Sequence, residues 1–214
     1  MRPGPTARSE ARPGPTTSSE EVFLAYPADP IARKFRSTWL ASSLKAARTG
    51  GHFDRYLQNL PQRYHDPVLH SVAGEWLPID VAVAHYEALD KLALTEMDIV
   101  KIGEEVGHAF NNAVFQTILR LAQGAGLSPW TACRHAQKSW DRTWVGGGYG
   151  IFKLGERELG AEIVGWPCAR FRYTRIALRG TYHATLRLFC RRVWVEELPE
   201  HCTDTTLGYR VHWV

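Results

Sequence analysis

The chain has 214 residues, 44% of them hydrophobic, with 8 Trp, 8 Tyr and 8 Phe, which is apolar material for one substantial core; length favours one domain over two. A charged fraction of 22% and a net charge of +4 are ordinary for a soluble protein and argue against a nucleic-acid binder, and no recognised nucleic-acid motif occurs. No window approaches the ~18 uninterrupted apolar residues of a membrane span, and the arginine-bearing N-terminus lacks the apolar stretch of a secretory signal, so a cytoplasmic location is expected.

Arg2-Pro-Gly-Pro-Thr6 recurs as Arg12-Pro-Gly-Pro-Thr16. Neither copy has large apolar residues to offset the entropy of ordering, so residues 1–20 are expected to be a disordered tail before a single domain over 21–214. From Ile31 to Arg48 the residues Ile31, Phe35, Trp39, Leu40 and Leu44 form one stripe of a predicted helix, ended by Gly50-Gly51. A short helix around Phe53–Leu60 follows, then a helix start at Asp66-Pro67 and a turn from Gly74 to Pro78. Asp80 caps a predicted helix to about Leu92. Thr95-x-x-Asp98 is a capping-box variant opening a long helix to Gly124, with Ile99, Ile102, Val106 and Phe110 on one face. Ser128-Pro129 starts another, to about Trp144.

The period changes at Gly146-Gly147-Gly148. Tyr149–Leu154 and Leu159–Trp166 alternate as a hairpin, Pro167–Phe189 reads as a helix, and Val193–Leu198 and Leu207–Val214 alternate as two further strands. Four or five helices, hairpin, helix, hairpin make an α/β domain of the α+β type with a small antiparallel sheet.

Chemical motifs are few. The glycine run lies between helix and strand, whereas a phosphate loop needs strand before helix, so a tight connection is expected there. Gly103-x-x-x-Gly107 places two glycines on one helix face, pointing to close helix packing or to a ligand. The four cysteines, Cys133, Cys168, Cys190 and Cys202, form no CxxC pair and read as reduced thiols. Cys133 and His135 point about 200° apart on a helix, and His201-Cys202 has no zinc spacing. His108 and His135, each on an apolar helix, are single axial-ligand candidates for haem or ordinary hydrogen-bonded histidines. No converging carboxylates or nucleophile motif appear, so an enzyme is not expected.

Residues 170–192 hold Arg170, Arg172, Arg175, Arg179, Arg187, Arg191 and Arg192 without an Asp or Glu. Arg172, Arg175 and Arg179 share one helical face. Such a stripe needs an answer: acidic residues elsewhere in the fold, an acidic partner surface, or an anionic ligand.

The order of these motifs resembles the superfamily of vinyl-reductase-like domains, haem nitric-oxide-binding domains and the small core subunits of transport-particle tethering complexes. The matching features are the helix with Gly103 and Gly107, the glycine-led hairpin, the helix with Gly180 and the closing Tyr209-x-Val-x-Trp213. More specifically the chain resembles an uncharacterised paralogous family of myxobacteria, through Leu89-Asp90, Gly103, Ser128-Pro129-Trp130, Trp140, Gly147-Gly148, Pro167, Phe171-Arg172, Gly180 and Trp213. The resemblance covers about residues 22–214. It implies a helical layer on a four-stranded antiparallel sheet, with one helix between the hairpins and a small-molecule cavity between the layers. The haem-binding branch carries a Tyr-x-Ser-x-Arg motif, and here the nearest string, Tyr173-Thr-Arg175, lacks the serine and the spacing. The closing region likewise keeps only Cys190 and Cys202 of the cysteines found there in some vinyl-reductase-like domains.

The expectation is a non-enzymatic, sensor-like or regulatory domain binding a small hydrophobic or anionic ligand, with no cofactor assigned. Gly103, Gly107, His108, His135, Tyr149 and Phe152 would line the cavity, with Arg172, Arg175 and Arg179 at its mouth. The alternative is a module that dimerises or docks an acidic partner without a ligand, using Trp39, Trp76 and Trp130 as anchors if they are not core.

Overall fold

In a computed structural model of the chain, the described residues are 22–23, 29–108, 128–133 and 136–214. The Pro/Gly-rich tail, His135 and the part of the expected long helix beyond His108 lie outside them. The two-residue strand β1 (Val22–Phe23) is followed by β2 (Lys34–Arg36), α1 (Thr38–Thr49), α2 (Phe53–Asn59), α3 (His65–Leu69), β3 (Trp76–Pro78) and α4 (Ile79–Asp90). Helix α5 covers residues 96–108. Then come α6 (Pro129–Cys133), α7 (Ala136–Thr143), β4 (Trp144–Val145), β5 (Gly148–Gly155), β6 (Glu158–Val164), α8 (Arg172–Leu186), β7 (Val193–Glu197) and β8 (Leu207–Trp213).

Alternation places β5 and β6 in one hairpin and pairs β8 with both β6 and β7, all antiparallel, giving the order β5-β6-β8-β7 with β1 added on the free edge of β5. Leu159, Ala161 and Ile163 of β6 and Leu207, Tyr209, Val211 and Trp213 of β8 are buried, while Arg210 between them is exposed. The expected four-stranded antiparallel sheet with one helix between its hairpins is present.

The helical half differs from expectation at its start. Ile31 is exposed and Lys34–Arg36 is a strand, paired with β3 on one side and β4 on the other. The four-to-five residue spacing of apolar residues there is satisfied by a strand that ends at Arg36 and a helix that begins at Thr38, with Ser37 between them donating its hydroxyl to Val72 O at 2.6 Å. Trp76–Pro78, expected as a turn, is the third strand of this small sheet. A 3-10 turn, Gln62–Tyr64, leads into α3 ahead of the expected start at Asp66. Another, Pro167–Arg170, precedes α8 where one continuous helix was expected. Half of the capping box forms: Thr95 Oγ1 accepts the Asp98 N–H at 3.2 Å, while the Asp98 carboxylate accepts the Thr95 hydroxyl at 2.6 Å.

Inside the helical layer His85 of α4 is fully buried, with Nε2 2.6 Å from Ser43 Oγ and Nδ1 2.7 Å from Tyr56 Oη. Ser43 Oγ donates to the Leu40 carbonyl at 3.1 Å, so its lone pair accepts Nε2–H and the Tyr56 hydroxyl donates to Nδ1. Burial pushes the imidazole down to about 3, and the ring is neutral.

Candidate functional site

Three stripes converge between the helices and the sheet. Ala136, Ser139, Trp140 and Thr143 lie on one face of α7, and Leu178, Thr181, Tyr182 and Thr185 on one face of α8, each at three-to-four spacing. Tyr149 and Ile151 of β5 and Leu159 and Ile163 of β6 point inward at period two. With Trp39, Cys133, Trp144, Trp166 and Leu186 they line a partly open cavity of about 140 Å³.

Its wall is chiefly indole. Trp140 and Trp144 stack at 5.3 Å between ring centres, and Trp166 stands edge-on to Trp144 at 5.4 Å. Phe35 stacks on the other side of the group, 5.6 Å from Trp144. Trp140 Nε1 donates to Gly146 O at 3.0 Å, whereas Trp166 Nε1 is buried without an acceptor among the described residues. The Tyr149 hydroxyl bonds that of Tyr182, and the Tyr182 ring lies 5.3 Å from that of Tyr209, whose hydroxyl donates to Arg175 O at 2.8 Å. Burial raises Tyr149 and Tyr182 well above the usual phenol range and pushes the Cys133 thiol up to about 12. Among the described residues, the cavity is therefore lined by neutral groups.

Of the ligand candidates read from the sequence, Tyr149 stands on this wall. Phe152 projects from the opposite face of the sheet, where it covers Gly160, because one residue's shift along a strand reverses the side. Gly103 and Gly107 face α8: a Cβ on Gly103 would lie 2.7 Å from the Ala177 carbonyl carbon, and one on Gly107 would lie 2.9 Å from Ala184 Cβ. Their absent side chains make room for helix packing rather than for a ligand. His108 is exposed, and His135 lies outside the described residues. Arg172 is exposed and reaches the Leu94 carbonyl at 3.2 Å. Arg175 pairs with Glu197 and Arg179 with Glu96, on faces of α8 turned from the cavity, so carboxylates of the fold answer this part of the stripe.

The sequence reading missed the indole wall, Trp140, Trp144 and Trp166, and Tyr182 with it. A signal was there in the small polar residues Ser139, Thr143, Thr181 and Thr185 on the inward stripes of α7 and α8, where a filled core asks for Leu or Ile. Of the anchors named for a docking surface, Trp39 is half-buried against the cavity. Trp76 lies under the Arg36 guanidinium, 4.0 Å away, and Trp130 sits edge-on to Trp213 at 5.4 Å. Among the described residues, no group of three His, Cys, Asp or Glu side chains could hold a metal, and no helix is long and apolar enough to cross a membrane.

The fold is H-NOX-like. The Fe(II) unliganded H-NOX protein from K. algicida superposes with a TM-score of 0.61 at 8% identity, covering 84% of this chain and 96% of that one. A mutant of T. tengcongensis H-NOX gives a TM-score of 0.57 at 12% identity, covering 83% and 97%. No family model matches the sequence, and no curated protein matches it. The H-NOX-like arrangement carries the helical layer, the antiparallel sheet and the crossing helix expected of the superfamily.

Proposed function

We propose that the chain is a cytoplasmic, non-enzymatic, sensor-like domain over residues 21–214 that binds a small uncharged molecule in the tryptophan-walled cavity. One observation carries the reading: a partly open, apolar cavity of about 140 Å³ between the helices and the sheet. Protein interiors keep few voids larger than a water molecule. An engineered apolar cavity of about 150 Å³ takes up benzene, so the size suits a one-ring molecule. The motifs shared with the myxobacterial paralogous family fit the same reading. Asp90, for example, receives the Tyr173 N–H at 2.6 Å and so fixes the start of α8 against α4.

Solved neighbours are described by heme distortion in the H-NOX family. The wall here does not fit that group. Among the described residues it offers no histidine or arginine, and burial keeps its thiol and its two phenols, Tyr149 and Tyr182, protonated, whereas haem iron takes an axial histidine, thiolate or phenolate. The nearby guanidiniums of Arg175 and Arg179 are already paired with carboxylates. The reading therefore involves no haem.

Native mass spectrometry of the purified protein against its denatured mass, with a thermal-shift panel of one-ring compounds, tests the proposal. A bound mass or a concentration-dependent shift supports it. A protein with neither overturns it, and a Soret band in the absorbance spectrum overturns its haem-free form.

A further inference from the structure

Most polar atoms on the cavity wall have partners. Thr143 Oγ1 donates to the Trp140 carbonyl at 3.0 Å, Thr181 Oγ1 to the Gly103 carbonyl at 3.1 Å, and Trp140 Nε1 to Gly146 O. Two deeply buried donors stand out among the described residues. Trp166 is 3% exposed and its indole N–H has no acceptor among the described residues. Tyr149 and Tyr182 bring two hydroxyl protons to one shared hydrogen bond, so one of the two has no acceptor among the described residues. A buried donor without a partner is unfavourable and calls for a ligand or a water to complete it. The wall carries no carboxylate or neutral imidazole among its described residues to accept either proton.

We infer that the ligand is a neutral, one-ring molecule bearing a carbonyl-type hydrogen-bond acceptor, received by the indole N–H of Trp166 with the spare proton of the Tyr149–Tyr182 pair as second donor. This rests on the cavity being the binding site. Two donors without a fixed cation favour a carbonyl over a hydrocarbon, and they discriminate against a carboxylate, which would enter an apolar space with no cation to pair it. The indoles of Trp140 and Trp144 supply flat walls for the ring.

The test compares acetophenone with α-methylstyrene, of the same shape but without the oxygen, and with benzoate, each titrated into the full chain. The Trp166 indole resonance is assigned on isotopically labelled protein and followed throughout. Acetophenone is expected to bind about tenfold tighter than α-methylstyrene, which corresponds to one neutral hydrogen bond to an otherwise unpaired donor, and benzoate not to bind. The Trp166 indole proton moves downfield with acetophenone and not with α-methylstyrene. In Trp166→Phe the ratio of the two affinities shrinks several-fold, while both probes respond together to the altered wall. Equal affinities, or an indole resonance that acetophenone leaves unmoved because a trapped water already holds it, overturn the acceptor assignment and leave the cavity reading standing. Tightest binding by benzoate overturns the neutral class. No binding by any probe removes the cavity reading together with this one.

Discussion

Gly103 of α5 and Ala177 of α8 meet backbone to backbone: a Cβ on the glycine would lie 2.7 Å from the alanine carbonyl carbon and 3.0 Å from its Cα. Gly180 completes the contact from the other side, where a Cβ would lie 2.8 Å from the Glu104 amide nitrogen. Thr181 Oγ1 bonds Gly103 O at 3.1 Å and bridges the two helices. The carbonyl and amide in the way are backbone, so neither can rotate aside. Gly103→Ala and Gly180→Ala are each expected to destabilise the protein by ~1–3 kcal/mol, even though alanine is the better helix former by about 1 kcal/mol. Urea unfolding midpoints check this. A midpoint at or above that of the unsubstituted protein would show the helices to be further apart.

His85 sets the acid limit of stability. Its imidazole stays neutral down to about pH 3 in the folded protein, whereas in the unfolded chain it takes up a proton near 6.5. Between those values the unfolded state binds the extra proton, so stability is lost as pH falls from about 6.5 and is restored as pH rises. The slope approaches ~1.4 kcal/mol per pH unit. His85→Gln lowers stability at neutral pH by disturbing the bonds to Ser43 and Tyr56, but it flattens the dependence between pH 6 and 5, above most carboxylate titration. Equal slopes in the two proteins would place the imidazole in contact with water.

The sheet was legible because its inner face is buried and its strands are long enough to alternate: Leu159-x-Ala161-x-Ile163 and Leu207-x-Tyr209-x-Val211-x-Trp213 allow one register. The capping box at Thr95 was legible because it is local. Lys34–Arg36 was not, because three residues are too few for a period, and their strand exists only through partners at Trp76 and Trp144, each more than thirty-five residues away in sequence. The site was half legible for a related reason. That Tyr149 faces inward follows from alternation, but whether a tryptophan fills a core or walls a void depends on what stands opposite. Trp140 and Trp166 meet only after the hairpin has turned. The arginine stripe likewise left its answer open until Glu96 and Glu197 were placed beside it.

Those ion pairs give a third expectation. Arg175 and Glu197 are both about 30% exposed, at 30% and 28%, while Arg179 and Glu96 stand at 34% and 55%. Solvent screening weakens the more exposed pair, so Glu197→Gln should cost more stability than Glu96→Gln, each within ~1 kcal/mol, and both effects should shrink in 1 M salt. Denaturation at low and high ionic strength measures both. A gain in thermal stability with phosphate that either substitution enhances would instead mark the stripe as an anion site.

Filling the cavity separates its role in binding from its role in the fold. Ala136 on α7 faces the void, and leucine there adds three carbon atoms where no atoms now stand. Overpacking elsewhere in a core is unfavourable, but cavity-filling substitutions commonly add ~0.5–2 kcal/mol. Ala136→Leu is therefore expected to hold or raise the melting temperature while abolishing the binding of one-ring probes. Ile151→Ala works in the opposite sense. It enlarges the same space from the sheet side, costs ~2–5 kcal/mol, and should admit a two-ring probe such as naphthalene that the unsubstituted protein excludes. Thermal melts and calorimetric titrations on the two variants read both effects. If Ala136→Leu unfolds the protein and Ile151→Ala leaves probe size unchanged, the space between α7 and the sheet is not a binding cavity.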